Sequence, residues 1–173
     1  MLSQHDLYGS DCRTKLALAQ GLHQPLTAEM QSEPILQSLT RLKEQAQNLA
    51  ELMAAMGLDR ICAACAAKPN GGCCSRAIAN ETDTIQLLMN VMAGIPVAIC
   101  RDNGHECLFL GDTGCTLAFK PIFCLNYDCQ AIKDQVTAEG AGRYDRLRGA
   151  LLQEQWRLEQ LLLERLTQLG EVR

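Results

Sequence analysis

Eight of the ten cysteines in this 173-residue chain fall into two groups with the spacing of metal ligands. The first reads Cys62-x2-Cys65-x7-Cys73-Cys74, and the second reads Cys107-x7-Cys115-x8-Cys124-x4-Cys129. Thiolates are soft donors, and they favour zinc, iron–sulfur clusters or cuprous copper over hard ions. A tight turn can aim both sulfurs of a Cys-x2-Cys pair at one centre. Gly71, Gly72, Gly111 and Gly114 let the backbone approach such a centre without a Cβ in the way. Vicinal Cys73 and Cys74 ligate two different metal atoms more readily than one. That tilts the expectation slightly towards a multinuclear centre, iron–sulfur before zinc.

Two other uses of the cysteines compete with this. A free cysteine can be a small buried hydrophobe, which is the simplest reading of the isolated Cys12 and Cys100. A disulfide framework is the other, and the vicinal pair fits it poorly because neighbours seldom bridge one another comfortably. The opening MLSQHDLYGSDCRTK carries acids and lacks the apolar stretch of a signal peptide, so a cytoplasmic location is expected. Thiols in that reducing compartment stay unpaired unless a metal holds them.

The two blocks resemble the zinc- or iron-chelating CxxCxxCC family (YkgJ-like). Its members read C-x2-C-x2-CC, then a helix, then C-x-L, a further Cys, and (R)P-x2-C-x4-C. Here Cys62, Cys65, Cys73 and Cys74 match the first block, with Gly72 just before the pair. Cys107-Leu108-Phe109-Leu110, Cys115, Lys120-Pro121-Ile122-Phe123-Cys124 and Cys129 match the second. Seven residues rather than two separate Cys65 from Cys73, Lys120 replaces the usual Arg, and Leu125 stands where a basic residue is common. The resemblance covers about residues 59 to 130. It implies a Cys-bound metal, iron–sulfur cluster or zinc, held by Cys62, Cys65, Cys73, Cys74, Cys107, Cys115, Cys124 and Cys129.

Other polar candidates are weaker. His105 stands two residues before Cys107 and reads first as a solvent-facing loop histidine. His5 and His23 fall in a weakly patterned region and receive no role. Asp102, Asp112 and Asp128 neighbour cysteines, where they could accept hydrogen bonds near a metal or simply form turns. Lys120 reads as a surface lysine, with thiolate tuning or anion binding as the alternative. Arg143, Arg146 and Arg148 crowd the start of a helix, where the dipole disfavours positive charge; a solvated face is the simplest account. Met53, Met56, Met89 and Met92 read as core filler. No GxSxG, Walker loop, GxGxxG or HExxH is present, so no catalytic residue is assigned.

The elements that must position the cysteines follow from periodicity. Residues 1–31 are weakly patterned, with a short helix expected to end at Gly21 and a break at Pro25. Ile35, Leu39, Leu42, Ala46, Leu49, Met53 and Met56 recur at steps of four and three, which predicts a helix over 33–56 between Ser32 and Gly57. Ile85, Leu88, Met89 and Met92 predict a second helix that closes at Gly94 and Pro96. The runs PVAIC, CLFL and CTLAF, broken by turn residues, predict short strands or turns over 97–129. A long helix is predicted over 141–169, with Tyr144, Leu147, Leu151, Leu158, Leu161, Leu162, Leu166 and Leu169 on one broad face. Glu154 overlaps that face, so the pattern is no strict coiled-coil seam.

The expectation is therefore a single, mainly α domain. Long amphipathic helices pack together, in one chain or across a homodimer, and bracket a cysteine-rich segment at 59–130. Disorder is excluded by 47% hydrophobic residues and a net charge of −4. No apolar run approaches the roughly 20 residues that a membrane helix needs. A pI near 5.4 and the lack of a basic reading helix argue against nucleic acid. Three functions fit. One is a metal-binding protein for electron transfer, metal handling or sensing. Another is a structural zinc module that presents helices to a protein partner. The last is a cluster-dependent redox or group-transfer enzyme.

Overall fold

Two long helices, α2 (Glu33–Ala55) and α8 (Ala138–Gln168), pack along each other and form the frame of the protein. The computed structural model describes residues 1–30, 32–68 and 72–172, and the backbone alone for 24–30. The chain is mainly helical, with 66% of it in helices. The predicted boundaries of α2 hold because both ends carry the expected chemistry. Ser32 is extended, Pro34 lies in the first turn, and Gly57 takes φ 73°, a left-handed conformation that a side chain disfavours. Helix α8 begins earlier than periodicity suggests. The Thr137 side chain accepts a hydrogen bond from Gly140 N–H, a cap that precedes the first apolar contact.

The apolar stripes meet within one chain. Ile35, Leu39, Leu42 and Leu49 on α2 are buried, as are Leu151, Leu158, Leu162 and Leu166 on α8. Between them sits a polar pin, at the acidic position that overlaps the apolar face of α8. Glu154 is buried and accepts hydrogen bonds from Ser38 Oγ at 2.5 Å and from Arg41 Nη2 at 3.1 Å. A buried carboxylate held by these partners ties the register of the two helices.

The second layer corrects one expectation. Helix α1 (Cys12–Met30) runs through Gly21 and across Pro25 rather than stopping there. It packs against α5 (Thr84–Met92), and burial of Leu16, Ala19 and Leu22 outweighs the local breaking tendency of Gly21. Lys15 is buried against the same helix pair and donates from Nζ to the carbonyl of Asn80 at 2.7 Å, the last residue of α4 (Arg76–Asn80). Helix α5 carries the predicted Ile85–Met92 stripe, and the Asp83 carboxylate caps its start by accepting from Gln86 N–H at 2.7 Å. Among the described residues, no helix is long and apolar enough to cross a membrane.

The cysteine-rich middle is built from short pieces. These are α3 (Leu58–Ala66), a hairpin of β1 (Leu110–Gly111) and β2 (Gly114–Cys115), α6 (Ile122–Asn126) and α7 (Gln130–Gln135). The hairpin is antiparallel, with Leu110 opposite Cys115. Cys62 and Cys65 were expected on a turn but lie on α3, where a spacing of three puts both on one face.

Candidate metal centre

Cys62, Cys65, Cys73, Cys74, Cys107, Cys115, Cys124 and Cys129 all line one cavity of about 130 Å³. For scale, an apolar cavity of about 150 Å³ holds a benzene molecule. The eight thiols come from six separate pieces of chain, so the convergence belongs to the tertiary structure. Helix α3 supplies Cys62 and Cys65, and Cys73–Cys74 follow in the turn before α4. An isolated antiparallel bridge between Ser75 and Glu106 draws the vicinal pair to the second block. Across it, Cys107 N–H donates to Cys74 O at 2.9 Å and Arg76 N–H donates to His105 O at 2.7 Å. The hairpin then returns Cys115, and α6 carries Cys124, while Cys129 stands at the start of α7. All ten cysteines are free thiols.

Gly72 shows how closely the chain wraps this cavity. It adopts φ 62°, and a Cβ built on it would collide with Cys65 Sγ. Gly111 and Gly114 face each other in the hairpin, and Gly71 lies outside the described residues.

Two arginine–carboxylate clamps hold the loops in place, and sequence reasoning missed both. Arg101 Nη1 donates to Glu106 Oε1 at 2.8 Å and to Ala66 O at 3.2 Å, which joins the end of α3 to the residue before Cys107. Glu106 is buried, and Asn103 also donates to it. Arg148 Nη1 donates to Asp128 Oδ1 at 2.8 Å and to Leu125 O at 3.0 Å, which joins α8 to the segment between Cys124 and Cys129. Arg148 was expected on a solvated face; it is instead 9% exposed, with its guanidinium 4.2 Å from the ring centre of Tyr144, itself a cavity residue. Arg143 and Arg146 remain exposed, as expected.

A third support is Asn90 on α5. It is fully buried, and its Oδ1 accepts from Ala118 N–H and Phe119 N–H while its Nδ2 donates to Phe119 O and Gln86 O. That fixes the segment leading into Lys120-Pro121, whose Lys120 carbonyl also accepts from Gln155 Nε2 at 3.0 Å. The signal for Asn90 was present in the sequence: an amide placed within the apolar run LLMNVM of this helix.

The electrostatics follow from crowding thiols in partial burial. Burial pushes the Cys62 thiol up, against the pull of nearby Lys120, and raises Cys107 to about 11. The vicinal pair divides differently. The Cys74 thiol donates to Cys73, which brings Cys73 down to about 6 and pushes Cys74 up. Lys120 is half-buried and is the charged residue among those lining the cavity, where its ammonium acts against the rise of the Cys62 thiol. Thiols pushed up in this way stay protonated, and a metal ion that bound them would displace those protons.

The remaining candidates lie elsewhere. Cys12 is buried in the core, where burial pushes its thiol up to about 12. Cys100 is exposed rather than buried, because it sits on a surface stretch with its backbone N–H tied to Leu108 O. Asp102 pairs with Arg13 and Arg76, and Asp112 is exposed, 3.8 Å from Arg101. His105 is exposed and contributes only its carbonyl to the bridge. Phe123 and Tyr127 stack at 5.4 Å, flank Cys124 in sequence and line the cavity, a pair that spacing alone did not mark.

Among the described residues, no three His, Cys, Asp or Glu side chains converge on the position of a single metal ion. No protein-family model, curated protein or solved structure matches the chain.

Proposed function

We propose that this chain binds a multinuclear metal centre through Cys62, Cys65, Cys73, Cys74, Cys107, Cys115, Cys124 and Cys129, with an iron–sulfur cluster as the first assignment and zinc as the alternative. The observation that carries the reading is the lining of one cavity by all eight grouped cysteines, while neither Cys12 nor Cys100 joins them. Soft thiolate donors in that number are the donor set of iron–sulfur and polynuclear zinc centres. The resemblance to CxxCxxCC chelating proteins leads in the same direction.

An iron–sulfur cluster, when bound, would supply one-electron redox chemistry whose potential is set by charge, hydrogen bonds and solvent exposure. The chain's own contribution is positional and electrostatic. The Arg101–Glu106 and Arg148–Asp128 clamps hold the ligand-bearing loops against the helical frame, and Lys120 offsets part of the thiolate charge. Cytoplasmic electron transfer, metal handling or sensing are the roles this favours. A structural zinc module that presents helices to a partner is the alternative.

The test is metal and acid-labile sulfide content of protein purified without oxygen, together with its visible spectrum. Iron with matching sulfide and broad absorption supports the first assignment. Zinc in whole-number ratio without sulfide moves the protein to the structural or metal-handling alternative. Substoichiometric metal of every kind, in protein whose eight thiols titrate freely, ends the reading.

A further inference from the structure

A second hollow, of about 480 Å³, runs between α2 and the segment 115–120. That volume falls in the range of about 300–1,000 Å³ typical of small-molecule sites. Leu49, Met53, Cys115, Lys120 and Leu125 line both this groove and the cysteine cavity, so an occupant of one would lie against the wall of the other. The floor is apolar and includes Leu117, Phe119 and Leu151, all buried. Lys43 and Lys120 are the charged residues of the lining. Among the described residues neither has a carboxylate within ion-pair distance, in a chain whose net charge is −4.

We propose that this groove binds a small amphiphilic anion, one with a singly or doubly charged head and an unbranched aliphatic body, against the outer wall of the thiol centre. The apolar floor takes the body by the hydrophobic effect, and the two unpaired ammonium groups select the charge of the head. A neutral molecule of the same shape leaves both lysines without a partner, and a cationic one meets like charge. The Cys115 wall makes the ligand a neighbour of whatever the thiols hold. The proposal deepens the metal-centre reading by giving it a ligand class, and its groove can be tested separately from its metal.

The test is calorimetric titration of the full chain, metal-free and metal-loaded, with octanoate, octyl phosphate and octanol. One site per chain is expected for an anion, with octanol weaker by about tenfold or more. The stronger of octanoate and octyl phosphate identifies a carboxylate or a phosphate head. Lys43 and Ala50 are exposed, so Lys43→Gln and Ala50→Trp should fold normally. The first should weaken binding about fivefold through loss of one exposed charge contact, and the second should block the groove. Both should leave metal content unchanged. Octanol binding as tightly as octanoate, or Ala50→Trp leaving the affinity unaltered, would overturn the proposal. Anion binding to a chain that never loads metal supports the groove while ending the metal reading; a loaded chain that ignores both anions ends the groove alone.

Discussion

Arg148 grips Asp128 with one nitrogen on both carboxylate oxygens, at 2.8 and 2.9 Å, and the same nitrogen holds the carbonyl of Leu125. The contact joins the longest helix to the loop between Cys124 and Cys129, and it is made 20 residues away in sequence. Replacing Arg148 by Ala should destabilise the fold by about 3 kcal/mol, the low end for breaking a buried pair, because Asp128 keeps some access to water. Urea unfolding measures this. Lys at the same position should restore little, since one ammonium cannot reproduce the planar set of bonds to Asp128, Leu125 and Asp145. Full recovery in Arg148→Lys would show that charge alone matters there.

Gly72→Ala should disturb the first cysteine block more than its size suggests. The left-handed backbone costs a non-glycine residue about 1–3 kcal/mol, and the added Cβ would displace Cys65 Sγ. The expected result is lower bound metal per chain with the terminal helices intact by circular dichroism. Unchanged metal content would mean that Cys65 moves without consequence.

Asn90→Leu should cost about 3 kcal/mol, because it leaves the N–H groups of Ala118 and Phe119 and the carbonyl of Phe119 buried without their partner. The loss should appear in thermal unfolding. It should also loosen the segment into Lys120-Pro121, read as faster amide exchange at 118–125.

Acid should weaken the α2–α8 contact. Burial works to raise the Glu154 carboxyl, but the hydrogen bonds from Ser38 and Arg41 outweigh it and hold it below the ordinary carboxylate value. A depressed folded-state value gives stability that is fully present above the unfolded value and is lost as pH falls through the folded one. Glu154→Gln should therefore lower stability near neutrality by about 2 kcal/mol and reduce the fall on acidification. Denaturant midpoints from pH 7 downwards measure both effects. An acid limb unchanged by the substitution would assign it to other carboxylates.

If a metal organises the middle of the chain, chelation should loosen residues 59–130 more than α2 and α8. Hydrogen exchange with and without a chelator reports this directly. Equal protection in both states would mean that packing and the two arginine clamps hold the loops unaided.

How much of this was legible depends on the range of the forces involved. The stripes from Ile35 to Met56 and from Ile85 to Met92 and the Gly57 stop are local features, written at spacings of three or four residues, and the helices they imply are present. The mainly helical class and the separation of eight grouped cysteines from Cys12 and Cys100 were readable for the same reason. Pro25 misled because the burial of α1 against α5 outweighs a local breaker. Arg148 misled because periodicity assigns faces by polarity, whereas a buried charge is tolerated once a distant partner such as Asp128 satisfies it. The gathering of the cysteine blocks around one cavity depends on a single bridge, Ser75 to Glu106, and on contacts between residues 20 to 35 positions apart. Such contacts form only when helices have already packed, and they leave no period in the sequence that encodes them.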